Sequence, residues 1–154
     1  MEQKLSPNHS PDDQCAFCQI VKGEFESLKI YEDDICTAIL DIKPANPGHV
    51  LLLPKQHFEI FPIIPKDIVK HLSITAKKIS HAILQSIKAS GTNILIANGE
   101  AAGQASNHTM IHIIPRIEND KINQFILEKN QIDEEDQSQL YSIISQKIQE
   151  VFNK

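Results

Sequence analysis

The chain has 154 residues, 41% hydrophobic and 23% charged, which is ordinary globular usage and excludes wholesale disorder. Its net charge of −5, with only 15 Lys and Arg, excludes a protein held to nucleic acid mainly by phosphate neutralisation. No apolar stretch approaches the ~20 residues of a membrane helix, and 3 Cys and 7 His stand out from this plain background.

The length is that of one compact domain. Residues 1–14 are polar, carry Pro7 and Pro11 without any period, and read as a flexible tail. They hold no apolar core of a signal peptide, and an odd cysteine number does not fit a disulfide scaffold. A cytoplasmic protein with metal or nucleophilic chemistry is expected. The segment CAFCQIVKGEF, punctuated by Gly23, predicts one or two helical turns. LKIYEDD and ICTAILDI predict two strands, separated by Glu32, Asp33 and Asp34. KPANPG is a loop, and HVLLLPK a buried strand rich in branched side chains.

From Pro65 the period changes. Ile68, Leu72, Ala76, Ile79, Ile83 and Ile87 form one apolar stripe, predicting a long helix that Gly91 ends. His71 and His81 lie on it without an evident partner and read as surface or boundary residues. TNILIAN predicts another strand, followed by a glycine-containing loop from Asn98 to Asn107. HTMIHII predicts a strand opened by His108 and stopped by Pro115. A last helix carries Leu140, Ile143, Ile144, Ile148, Val151 and Phe152 on one face. Without regular βαβ alternation, the order predicts an α+β domain: an antiparallel sheet, one long helix packed on it, and a C-terminal helix.

Cys15 and Cys18 form a C-x-x-C pair, a spacing that lets both thiolates reach one tetrahedral ion. Redox use of such a pair expects a preceding strand, which is missing here. Two readings stay open on spacing alone: zinc completed by downstream histidines such as His57 and His108, or two reduced structural cysteines. Cys36 fits a small buried hydrophobe with an inert thiol. On a strand, residues two apart share a face, so His108, Met110 and His112 are expected to project together. Buried imidazoles need partners, and the preceding loop offers backbone N–H groups able to cradle an anion. His49, after the proline-rich loop, is placed to approach from a neighbouring strand.

These residues resemble the histidine triad (HIT) superfamily from Cys15 to about Arg116. The resemblance rests on C-x-x-C with Phe17 and Ile20, YEDD, LDIKPANPGHVLLLPKQH, NGEAAGQ and H-x-M-x-H-IIPR, in order. It implies a HIT-like fold over 15–154, with the C-terminal helix as an extension, paired into a homodimer with a continuous sheet. It implies that Cys15, Cys18, His57 and His108 hold a structural zinc, since four protein ligands leave no open position for water. It implies a purine nucleotide cleft beside the triad strand. There Phe17, Ile20 and Ile42 meet the base, and Asp41 accepts the ribose hydroxyls. Asn98, Gly103, Gln104, the backbone near Ala105 and His112 meet the phosphate.

The family's middle histidine is its nucleophile toward the α-phosphate, and here Met110 occupies that position. A thioether has no titratable proton and cannot form and release a phosphoramidate. His112, about 7 Å along a strand, is badly placed to take over. The expectation is a nucleotide-binding protein, an AMP-like or dinucleotide site, with the standard nucleotidyl-transfer or hydrolase mechanism impaired. The alternatives are an active phosphoramidase or dinucleotide hydrolase using His112 or activated water with His49, and a non-catalytic partner-binding scaffold. Two further readings of Met110 are an engineered substrate trap and a soft-metal site with His108 and His112.

Overall fold

A computed structural model describes residues 14–122 and 130–152. Of the expected 1–14 tail only Gln14 falls within them. Internal packing divides the chain into two units, parted between Lys121 and Ile122.

In the first unit, helix α1 runs Ala16–Lys22, with Cys15 as its N-cap and Gly23 at its end. The Cys15 thiol accepts the Cys18 N–H at 3.3 Å, doing the work that an oxygen does at most N-caps. Strands β1 (Lys29–Glu32), β2 (Cys36–Leu40) and β3 (Val50–Pro54) follow. Helix α2 spans Lys66–Ser86, and strands β4 (Gly91–Leu95) and β5 (Ile111–Arg116) complete the sheet. Its order is β1-β2-β3-β5-β4 and every pairing is antiparallel. The α+β class with an antiparallel sheet is therefore as expected.

Strand alternation sorts the side chains to two faces. Ala38, Val50, Leu52, Ile111 and Ile113 pack under α2, whose stripe buries Leu72, Ala76, Ile79 and Ile83. On the opposite face Ile39, Leu51 and Leu53 pack with Phe17, Ile20 and Val21 of α1, and with Met110. The register Leu51↔His112 places His112 over β3 on this α1 side. The sheet thus separates a packed core beneath α2 from a chemically richer face beneath α1.

Two boundaries differ from expectation. β5 starts at Ile111, not His108, and continues through Pro115, which pairs with Thr92 of β4. Pro115 lies past the last β3 pair, Val50↔Ile113, so on that side no ladder bond is lost. Upstream, the Thr109 N–H goes to the Phe58 carbonyl at 2.7 Å instead of to a strand. At the other boundary, α2 ends at Ser86 with Ile87 already extended, and Gly91 opens β4 instead of closing the helix.

The second unit contains α3, Glu134–Phe152, whose first turn carries Glu134, Glu135 and Asp136, suiting the positive end of the helix dipole. Leu140, Ile143, Ile144, Ile148, Val151 and Phe152 are all exposed.

Candidate functional site

Two groups of polar side chains stand on the α1 side of the sheet. The first is built by the start of α1. Helical geometry there turns Cys15 and Cys18 the same way, and His57 and His108 come in from the segments after β3 and before β5. One donor atom from each of the four lies within 4.8 Å of the others. His57 Nδ1 is 3.2 Å from the Cys18 sulfur; His108 Nδ1 is 3.4 Å from Cys18 and 3.5 Å from Cys15. A tetrahedron built on Zn–S of about 2.3 Å and Zn–N of about 2.0 Å has S–N edges of about 3.5 Å, which these match. His108 Nε2 donates to the Pro54 carbonyl at 3.0 Å, which fixes the tautomer and leaves Nδ1 deprotonated toward the sulfurs. The donor set, with the Pro54 carbonyl steadying His108, fits a tetrahedral thiophilic ion, and all three cysteines are free thiols.

The second group lies at β5. A cavity of about 210 Å³ is walled by Phe17, Asp41, Gly103, Gln104, Ala105 and His112, and Met110 also lines it. Leu51, Ala97 and Ser106, not foreseen from sequence, complete the wall. A wider hollow of about 920 Å³ adjoins it, sharing Phe17 and residues 104–106, and reaches Cys15 and His57. The metal-ligating cluster and the cavity therefore share the wall formed by Phe17.

Not every expected residue comes to the cavity. Ile42 is 87% exposed and does not line it. Ile20 packs against the Ile39, Leu51 and Leu53 cluster. Asn98 uses its side-chain oxygen to accept the Phe61 N–H at 2.9 Å. Gln104 reaches the cavity, yet its amide ties its own loop together and to the segment after β3. It accepts the Gly99 N–H at 2.7 Å and donates to the carbonyls of Glu59 at 2.6 Å and Ser106 at 2.7 Å. His108, expected beside Met110 and His112 on one strand face, sits in the cysteine cluster and is absent from the cavity wall.

His49 and His112 meet edge to edge, with Nε2 of His49 3.1 Å from Nδ1 of His112. The Ala45 N–H points at His49 Nδ1 from 3.2 Å, so that nitrogen carries no proton. Nε2–H of His49 then donates to His112, leaving His112 with its own proton on Nε2. Burial lowers the pKa of His49, the Asp41 carboxylate 3.4 Å away pulls it up, and neighbouring His112 adds to the lowering. Burial likewise lowers His112 against the pull of Asp41. Both imidazoles are thus neutral near pH 7, and His49 orients His112. Asp41 is held in turn by the Lys43 N–H at 2.8 Å.

Residues 22–119, well over half of the chain, match the family model of the HIT domain. The chain belongs to the HIT family. It is 44% identical over 106 residues to the Arabidopsis thaliana protein named adenylylsulfatase HINT3, a match covering 69% of this chain and 54% of that one. The chain therefore spans about half the length of that relative. Among solved HIT structures it resembles a zinc-bound histidine triad protein from Mycobacterium smegmatis, at 30% identity and a TM-score of 0.68, covering 91% and 99% of the two chains. It also resembles a hypothetical histidine triad nucleotide-binding protein from Sulfolobus tokodaii, at 35% identity and a TM-score of 0.67, covering 89% and 93%. These likenesses confirm the HIT fold.

One polar contact escaped the sequence reading. His71, taken as a helix-surface residue, meets Asp33 at 2.6 Å across 38 residues of sequence. The only local signal was the acidic turn Glu32–Asp34.

Proposed function

We propose that this HIT protein is a cytoplasmic, zinc-containing purine-nucleotide-binding protein whose standard nucleotidyl-transfer or hydrolase route is impaired at Met110. The observation that carries the reading is the convergence of Asp41, Phe17, residues 103–105, Met110 and His112 on one cavity. Asp41 accepts from ribose hydroxyls, Phe17 covers the base, and the 103–105 loop with the Nε2–H of His112 meets the phosphate. The relative named adenylylsulfatase and the Sulfolobus protein named as nucleotide-binding support an adenylyl-type ligand, a mononucleotide or a dinucleotide. The thioether of Met110 stands where the family carries its nucleophile and cannot do that work.

Cys15, Cys18, His57 and His108 would hold the zinc, and the zinc-bound mycobacterial structure supports that assignment. With four protein ligands the ion supplies a cross-link, not a reactive water. Its consequence for the cleft is the seating of α1 and thereby of Phe17. Pairing into a homodimer belongs to the same reading, supported by the sheet edge that β4 leaves unpaired among the described residues.

The His49–His112 contact favours one second reading, an enzyme in which neutral His112 assists attack by water. Incubation with an adenosine phosphoramidate separates the two. The binding-protein reading expects no turnover by the natural chain at high protein concentration and a gain of turnover in Met110→His. Wild-type turnover abolished by His112→Ala would establish the enzyme instead.

A further inference from the structure

A second group of metal-ligating side chains lies apart from the nucleotide cleft, where the β1–β2 turn meets α2. It consists of Asp33, Cys36 and His71, with one ligating atom of each within 4.8 Å of the other two. The three come from separate elements: the turn after β1, the first residue of β2, and the second turn of α2. Each is held in place. Asp33 Oδ1 accepts the N–H groups of Ile35 and Cys36, both at 2.8 Å, and Oδ2 accepts the Tyr31 hydroxyl at 2.8 Å and faces His71 Nε2 at 2.6 Å. Cys36 is fully buried, while the side chains of Asp33 and His71 are 23% and 34% exposed. The cluster is therefore closed on the sulfur side and open to solvent on the imidazole side.

We propose that Asp33, Cys36 and His71 form a second metal site, for a thiophilic divalent cation of the zinc class, with its fourth coordination position open to solvent. The charges close: one carboxylate and one thiolate neutralise a dication, and the imidazole binds as a neutral ligand. Mixed S, N and O donors in this number suit zinc or cobalt and do not suit magnesium or calcium, which take oxygen cages. The buried thiol is inert as a nucleophile because burial and the Asp33 charge both resist its ionisation. A dication between them reverses the second effect and displaces the thiol proton to solvent. The geometric demand falls on every edge: the sulfur separations, within 4.8 Å, close toward about 3.5 Å. A tetrahedral N–O edge is about 3.3 Å, so the His71–Asp33 contact must open by under about 1 Å. His71, part-exposed on a helix surface, has room to move by that amount. Unlike the four-ligand cluster at α1, a three-ligand site holds its ion exchangeably and keeps a position for water or an external ligand.

The test is a Co²⁺ titration of the reduced, metal-free full-length chain, followed by the thiolate-to-cobalt absorption. The expected result is two equivalents of Co²⁺ for the natural chain and one each for Cys36→Ser and His71→Ala. His81→Ala, elsewhere on α2, should leave two. In a Cys15→Ser/Cys18→Ser variant the step that depends on Cys36 and His71 should persist, so the site is read independently of the zinc cluster. Saturation of the natural chain at one equivalent that both Cys36→Ser and His71→Ala leave intact overturns the proposal. So does a second equivalent that survives both Cys36→Ser and His71→Ala. Should Cys36→Ser fail to fold, His71→Ala alone decides.

Discussion

Under the proposed reading, position 110 decides the chemistry of the cleft. Met110 lines the same cavity as His112 and Asp41, so a histidine there would face any phosphate bound in it. That is why the Met110→His gain is expected from one substitution. The buried histidine pair has its own signature. The unfolded chain holds imidazoles near a pKa of about 6.5, whereas burial depresses His49 and His112 in the fold. The unfolded state therefore takes up protons first as pH falls. The pair's contribution to stability is whole above about pH 7 and is lost as pH drops through 6.5 toward the folded values. Thermal melts between pH 8 and 5 should show Tm falling on the acid side, less steeply in a His49→Gln/His112→Gln double variant. An unchanged slope would contradict the assignment of neutral imidazoles. The Thr109 hydroxyl is buried and has no hydrogen-bond partner among the described residues. Thr109→Val removes that burden at constant shape and should be neutral or stabilising by about 1 kcal/mol in denaturant melts.

At the scale of elements, the site depends on how loops aim their neighbours. Gly48, between β2 and β3, sits at φ +87°, and an added Cβ would lie 3.0 Å from Ile87 Cδ1 and 3.3 Å from Pro115 Cγ. Gly48→Ala should cost about 1–3 kcal/mol and displace the adjacent His49, measurable as a lowered denaturation midpoint together with weaker AMP binding. Midpoint and binding both unchanged would show that the turn does not set His49. The helices and strands were legible because their signals are local. The 3.6-residue stripe of α2 and the branched, apolar runs of β2, β3 and β5 need no knowledge of partners. The start of β5 was not legible. His108 and Thr109 have strand-like neighbours, but their bonds go to Pro54 and Phe58 and to the cysteine cluster. Similarly, resemblance gives Gln104 as a ligand contact, while its amide bonds to Gly99 and Ser106 in its own loop and to Glu59 after β3. The His71–Asp33 contact joins residues too far apart in sequence for any pattern to reveal it.

For the whole molecule, the sheet divides labour. The α2 face supplies an apolar core, and the α1 face carries the cysteine cluster and the cavity beside β5, joined through Phe17. The core was foreseen from its repeated apolar spacing, whereas the Cys15–Cys18 pair left two readings open and the full set with His57 and His108 came through resemblance. The residues expected around the cavity came through resemblance, and of these Ile42 is exposed and stands outside its lining. Metal should therefore matter to both stability and ligand binding. Stripping the chain with a strong chelator is expected to lower Tm by several degrees and to weaken nucleotide binding, with zinc restoring both. A metal-free chain with unchanged Tm would refute a structural ion at Cys15, Cys18, His57 and His108. The most direct measurement is calorimetric titration of the zinc-loaded chain with AMP, repeated on Asp41→Ala. Saturable binding to the natural chain, weakened at least tenfold by the substitution, is the predicted result. No heat of binding at millimolar AMP would contradict it and leave a HIT scaffold without a nucleotide.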